Sequence, residues 1–204
     1  MTTRIAVVVY DGFDEMDAVG PYEVLSSAAG RGCDLDVSIR TLDPTDTVTA
    51  AHGLRIGVDG TLADADPDIV VVPGGGWSAR TPEASAWAEA QKGDLPAALA
   101  DLHERGVELA AVCTGGMLLA EAGILDGRPA VTHASAVSDL RETDAEVVDA
   151  RVVDDGDVLT AGGVTSGIDL ALHLVERLCG EEMAEEMATR IEYDYREDVY
   201  GSNS

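Results

Sequence analysis

The sequence predicts an α/β fold: a single-domain, three-layer sandwich with a mostly parallel sheet, helices on both faces, and a nucleophile elbow at Cys113. Three observations lead there. The runs at 4–10, 68–73 and 109–112 are apolar without a polar face, as strands covered on both sides are. Segments with helical apolar spacing separate them. Two of the runs pass directly into glycines, as Pro73-Gly74-Gly75-Gly76 and as Cys113-Thr114-Gly115-Gly116. At 204 residues the chain is long enough for one domain, 1–204, with a sizeable core.

Residues 4–10 open the chain as a buried strand. A turn follows, then a helix whose first position suits Pro21, running to about residue 29 and stopping at Gly30. Asp17 lies just before that helix, at the carboxyl edge of the sheet. It reads equally as a turn or capping residue and as an acid or base facing Cys113. Residues 35–42 alternate and form a second strand. Residues 47–58 make a small edge hairpin turning at His52-Gly53, with His52 on its surface.

Residues 68–72 form a buried strand entering the Gly74-Gly75-Gly76 loop. That loop has neither a phosphate-loop Gly-Lys-Ser/Thr ending nor dinucleotide spacing, so bare amides are what it offers. Residues 81–105 are helical, with Pro96 in a first turn, and Gly106 ends them. His103 complements a helix end. After the Cys113 helix, residues 130–132 make a short strand that brings His133 to the carboxyl edge. His133 is read either as a site residue or as a partly buried structural one. Residues 146–153 and 158–160 form a hairpin around Asp155-Gly156. Gly163, Val164 and Thr165 then open a helix at 168–178, where His173 packs. A last acidic helix covers 181–191, and residues 191–204 form a C-terminal tail.

Acidic residues number 39 against 13 Lys and Arg, a net charge of −26. Such a surface repels nucleic acid and anionic membrane. The acids are dispersed and lysine is nearly absent, which reads as adaptation to a salt-loaded, halophilic cytoplasm, where screening relieves self-repulsion. No apolar run is long enough to span a membrane, and no signal-peptide pattern opens the chain. Cys33, Cys113 and Cys179 show no paired spacing. The reading is no disulfide framework, no metal site, a reducing cytoplasm, and an inert Cys179.

Cys113 holds the most chemistry. It falls where a strand becomes a helix, the position at which open α/β sheets display ligand-binding groups. Gly115 and Gly116 let the backbone turn sharply and let a neighbour approach. The helix, at 117–122, ends before Gly123. Amides and the helix dipole predict a thiol that ionises more readily than a free one. This is the geometry of a nucleophile elbow with Cys replacing Ser.

Three motifs together resemble the ThiJ/PfpI superfamily, which shares the class I glutamine amidotransferase-like fold. They are the Val112-Cys113-Thr114-Gly115 elbow, the Val72-Pro73-Gly74-Gly75-Gly76 loop, and the Ala161-Gly162-Gly163-Val164-Thr165-Ser166-Gly167 segment. The match runs from Met16-Asp17 to Ile191-Glu192-Tyr193. Within the superfamily the pattern is similar to the isocyanide hydratase branch. Protease-like and many chaperone-like members have His directly after the Cys, whereas this chain has Thr114. Ala134 departs from the branch, where Trp often follows the His.

The resemblance implies a cofactor-free, cysteine-dependent lyase that hydrates an isocyanide to an N-substituted formamide. Cys113 would form a thioimidate, Asp17 would donate and accept the proton, and Thr114 would orient Asp17 or water. Amides of Gly75, Gly76 and Gly116 would stabilise developing charge. His133, Gly163, Val164 and Thr165 would line a pocket for a small electrophilic substrate. No metal is expected, and a homodimer is. The alternatives are a glyoxalase- or deglycase-type enzyme on small aldehydes, or a ligand- or redox-sensing domain without turnover.

Overall fold

Parallel strands must be joined by crossovers, so a chain that alternates apolar runs with helical stretches stacks its helices on both faces of a sheet. The computed structural model describes residues 1–196 and 198–201. The first half contains β1 (Thr3–Val8), α1 (Glu15–Ala29), β2 (Leu35–Arg40), β3 (Thr47–Thr49), β4 (Arg55–Gly57), α2 (Leu62–Ala65), β5 (Ile69–Val72), α3 (Ala86–Lys92), α4 (Asp94–Glu104), β6 (Glu108–Val112) and α5 (Gly115–Glu121). The second half adds β7 (Pro129–Ala130), α6 (Val137–Leu140), β8 (Glu146–Val147), β9 (Val152–Asp154), β10 (Val158–Ala161), α7 (Ser166–Cys179), α8 (Glu181–Arg190) and β11 (Val199–Tyr200).

The main sheet has seven strands in the order β11-β9-β10-β6-β5-β1-β2. All neighbours are parallel except β9 and β10. The predicted α/β sandwich is therefore the fold. Every residue of β5 and β10 is buried, as are Leu109 to Val112 of β6. These central strands supply the aliphatic middle of the core. Their neighbours β10, β6, β5 and β1 run parallel side by side, so four consecutive carboxyl ends open on one edge.

Several expectations need correction. The 158–160 strand does pair antiparallel with β9, but Glu146 and Val147 belong elsewhere. They form β8, parallel to β7 in a separate two-stranded sheet. Part of the presumed tail is structural, because Val199 and Tyr200 add an edge strand alongside β9. Of the tail, Glu197 and residues 202–204 lie outside the described residues.

Helix α1 starts at Glu15 and not at Pro21. Asp14 is its N-cap, its carboxylate accepting from the Met16 amide at 3.1 Å, a stronger start signal than the proline. Pro21 lies inside the helix, where it has no N–H to donate back to the Asp17 carbonyl. Asp17 is consequently in the first turn of α1, fully buried.

Cys33 and Cys179 form a disulfide, with Cα atoms 5.8 Å apart. One follows α1 and the other ends α7, and those two helices lie side by side on the sheet. Sequence spacing carries no trace of this because the two cysteines are 146 positions apart. The cysteine count therefore gives no argument for a reducing compartment. His173 is not a simple packing residue either. It is buried, and its Nε2 lies 2.7 Å from Asp154 Oδ2.

Candidate active site

The four parallel carboxyl ends deliver one component each. The first turn of α1, just past the end of β1, brings Asp17, the β5 loop Gly74 to Gly76, the end of β6 Cys113, and the β10–α7 connection Gly163 to Thr165. Cys113 takes φ +57°, a left-handed conformation that costs a non-glycine residue energy and persists only where surroundings impose it. Its amide faces the carbonyls of Ala161 (3.0 Å) and Gly162 (2.8 Å), and Thr132 Oγ1 donates to its carbonyl at 2.8 Å. Cys113 is the free thiol of the described chain, and it is buried.

The expected close approach at the glycines holds, but the expected turn does not. Gly115 and Gly116 do not make the turn; both lie in α5, which begins at Gly115 and not at residue 117. Their role is close approach. A Cβ on Gly115 would collide with the Val72 carbonyl oxygen, and one on Gly116 would come within 3.1 Å of the Val131 carbonyl oxygen. Gly75 does need its conformation, at φ +137°, and a Cβ there would meet the Gly12 carbonyl oxygen and the Asp14 amide.

Asp17 is wholly buried beside the thiol. Its Oδ2 accepts from the Gly74 amide at 3.0 Å, while Oδ1 has no nitrogen or oxygen donor. Burial pushes its pKa from the usual carboxylate value up to about 7, the Asp14 charge adds to this, and the Gly74 amide and Cys113 thiol oppose it. A carboxyl group poised there exchanges a proton readily near neutrality.

The Cys113 thiol is not activated in the resting site. Burial pushes it up to about 12, with the adjacent Asp17 charge working in the same direction. The amides of Val164 and Thr114 partly offset this by hydrogen bonding to the sulfur. Helix-end stabilisation does operate, but desolvation and a neighbouring carboxylate outweigh it. The expectation of easy ionisation is corrected accordingly.

The amides expected to receive developing charge are also redistributed. Gly75 donates its N–H to Thr114 Oγ1 at 2.9 Å, and Gly116 donates to the Cys113 carbonyl at 3.3 Å. The amides at the sulfur belong instead to Thr114 and to Val164, whose φ is +31°. Gly76, at φ +67°, turns the loop against Ser85. The Thr114 hydroxyl thus locks the glycine loop to the elbow rather than reaching Asp17.

His133 stands at the margin, half-buried. Its Nδ1 accepts from the Ser135 amide at 3.1 Å and lies 2.7 Å from Ser135 Oγ. The other edge of its ring packs on Gly163, where a Cβ would lie 2.7 Å from His133 Cδ2. The structure therefore brings His133 beside Gly163. Thr165 caps α7 and holds Arg151 through its hydroxyl at 3.0 Å. Two supports escaped the sequence reading. One is Thr132; the other is Trp77, whose indole donates to Asp139 at 2.7 Å and so fixes the end of the glycine loop. A threonine and a tryptophan next to named motifs were the available signals.

Asp14, Glu15 and His52 gather ligand atoms within 4.8 Å of one another, an arrangement that could hold a metal ion. Each is already explained, Asp14 as the helix cap and Glu15 with His52 Nδ1 as an exposed ion pair at 2.7 Å. Among the described helices none is long and apolar enough to cross a membrane.

A parallel α/β sandwich presenting a strained cysteine elbow beside a buried acid defines a class of protein. Residues 3–177 match the DJ-1/PfpI family, and the chain belongs to it. It is 31% identical over 194 residues to an isonitrile hydratase from Pseudomonas putida, covering 95% of this chain and 79% of that protein. A crystal structure of a ThiJ/PfpI family protein from Pseudomonas syringae superposes with a TM-score of 0.83 at 30% identity, covering 100% of this chain and 80% of the other. Drosophila melanogaster DJ-1beta superposes with a TM-score of 0.80 at 26% identity, over 96% of this chain and 100% of the other.

Proposed function

We propose that the protein is a cofactor-free hydratase that converts an isocyanide to an N-substituted formamide. The observation that carries the reading is the buried Asp17, with one oxygen unpartnered beside Cys113 and a pKa pushed up to about 7. The similarity to an isonitrile hydratase supports the substrate class.

In this reading the raised thiol pKa means that sulfur attacks as its proton leaves. Ionised Asp17 takes the Cys113 proton while Sγ bonds to the isocyanide carbon, and Asp17 passes that proton to the same carbon. The product is a thioimidate, with the amides of Thr114 and Val164 steadying charge at sulfur. Water adds to the C=N carbon, its protons reaching nitrogen and, through Asp17, the departing sulfur. The C–S bond breaks, the formamide leaves, and the thiol returns. One water is consumed.

The homodimer belongs to the same proposal. Met16 and Val19, one turn apart on α1, are exposed apolar side chains suited to a second copy. Size-exclusion chromatography with light scattering tests it.

Aldehyde chemistry of the glyoxalase type is a second reading, favoured by the seating of His133 against Gly163. One assay separates the two: formamide release from an alkyl isocyanide, and methylglyoxal consumption, by wild type, Cys113→Ala, Asp17→Asn and Thr114→Val, each with a melting curve. We expect formamide from wild type, none from Cys113→Ala, and a loss of roughly a hundred- to ten-thousand-fold for Asp17→Asn. No formamide from wild type would end the isocyanide reading, and methylglyoxal turnover in its place would establish the second.

A further inference from the structure

The surface is so acidic that most cationic side chains find a carboxylate. Arg4, Arg31, Arg128 and Arg177 each sit on one or two. Arg40, Arg55, Arg105, Arg141, Arg190 and Arg196 do not. Of these, Arg141 and Arg196 are set apart by the cavity they share: among the described residues neither of their guanidinium groups has a carboxylate within ion-pair distance, although acids outnumber Lys and Arg by 39 to 13. The two lie 55 positions apart in sequence, one after α6 and one beyond α8, yet both line the same cavity of about 680 Å³.

A third arginine, Arg151, lines it too, and its own charge is compensated by the buried Asp169. Asp149 is the carboxylate in the wall. The first turn of the fourteen-residue helix α7 contributes Ser166, adding the positive end of a helix dipole. Two exposed arginines without carboxylate partners at the rim of one cavity give it a positive charge that a bound anion would neutralise. Guanidinium forks pair bidentately with phosphate and carboxylate oxygens. The volume lies in the range of small-molecule pockets.

We propose that this cavity binds a small molecule bearing a phosphate or carboxylate group, gripped by Arg141 and Arg196. Cys113 and Asp17 do not line it, although Gly163 of the candidate site does, so the cavity adjoins the elbow; the proposal does not depend on the isocyanide reading. Thr132 and Gly162 line the cavity, and these are the residues that hold the Cys113 carbonyl and amide.

Isothermal titration calorimetry on the whole chain, in concentrated KCl, tests the proposal with three probes: inorganic phosphate, glycerol phosphate and succinate. Calorimetry is preferable to a melting shift because phosphate stabilises proteins by exclusion from their surface. At least one probe is expected to bind saturably, one per chain. Arg141→Gln and Arg196→Gln should each weaken it about tenfold, the loss of one charge-assisted contact. Arg55→Gln, an exposed arginine on β4 outside the cavity, should leave it unchanged. Preference for glycerol phosphate identifies a phosphate ligand, and preference for succinate a carboxylate. The proposal is overturned if no probe binds saturably, if neither cavity variant weakens binding, or if Arg55→Gln weakens it equally.

Discussion

Asp17 and Asp169 are both carboxylates with no exposed surface, and the fold treats them oppositely. Asp169, in the first turn of α7, is saturated. Arg151 and the Tyr193 hydroxyl donate to Oδ2, and the Arg196 amide donates to Oδ1 at 3.1 Å. Asp17, in the first turn of α1, receives one amide and leaves Oδ1 without a nitrogen or oxygen donor. A buried carboxylate with a full set of donors fixes structure, while one held short of donors keeps its proton mobile. The difference distinguishes a residue that anchors the C-terminal segment from one that can do chemistry.

Stability measurements break the comparison most directly. Asp169→Ala strands Arg151 and should cost about 3–5 kcal/mol, read from denaturant unfolding at pH 8. Asp17→Asn should do the reverse. The folded state raises the Asp17 pKa above its ordinary value, so the native protein holds that proton more tightly than the unfolded chain. Folding is unpenalised below about pH 4, loses stability as pH rises towards 7, and carries the full cost above it. At pH 8 Asp17→Asn should therefore be more stable than wild type by up to about 4 kcal/mol, and the gap should close near pH 4. A variant less stable than wild type at pH 8 would mean that Asp17 is another anchor.

The disulfide ranks next. Cys33→Ser should cost about 2–4 kcal/mol, because closing a loop of 146 positions restricts the unfolded chain, and reduction of wild type should match it. Activity should survive, since neither cysteine touches Cys113. On the catalytic side, the rate of isocyanide hydration should rise with pH through about 7, as Asp17 ionises and becomes able to take the thiol proton. A flat profile between pH 6 and 8 would remove Asp17 from that role.

How much of this was legible in the sequence depends on range. The central strands read directly from β-branched and apolar runs, and the elbow from a cysteine at a strand-to-helix junction followed by glycines. Local signals failed where distant residues decide. Nothing near Cys33 announces Cys179. Nothing near Val199 announces pairing with Val152. The glycines at 115 and 116 suggested a turn, yet the left-handed strain falls on Cys113, while Val72 of β5 and Val131 beyond β7 crowd the glycines. The thiol was expected to be acidic from the helix end alone. Burial and Asp17, which arrives from helix α1, reverse that. Asp17 and Asp169 cannot be told apart by composition or spacing, since both are acids in a first helical turn.

The last prediction separates reactivity from catalysis at the elbow. After burial, the Asp17 charge does most to hold the Cys113 thiol protonated. Asp17→Asn removes the charge and leaves the amides of Thr114 and Val164 in place. The thiol should then ionise more readily, and alkylation tracks the thiolate fraction. Cys113 in wild type should label slowly with iodoacetamide at neutral pH, and Cys33 and Cys179 not at all without reductant. In Asp17→Asn, Cys113 should label several-fold faster while hydration collapses. Peptide mapping after timed labelling, set beside formamide release by the same preparations, measures both. Faster labelling with lost turnover is what a proton carrier next to a sulfur nucleophile requires. Slower labelling together with lost turnover would instead mean that Asp17 holds the elbow in shape, and a melting curve that also fell would agree.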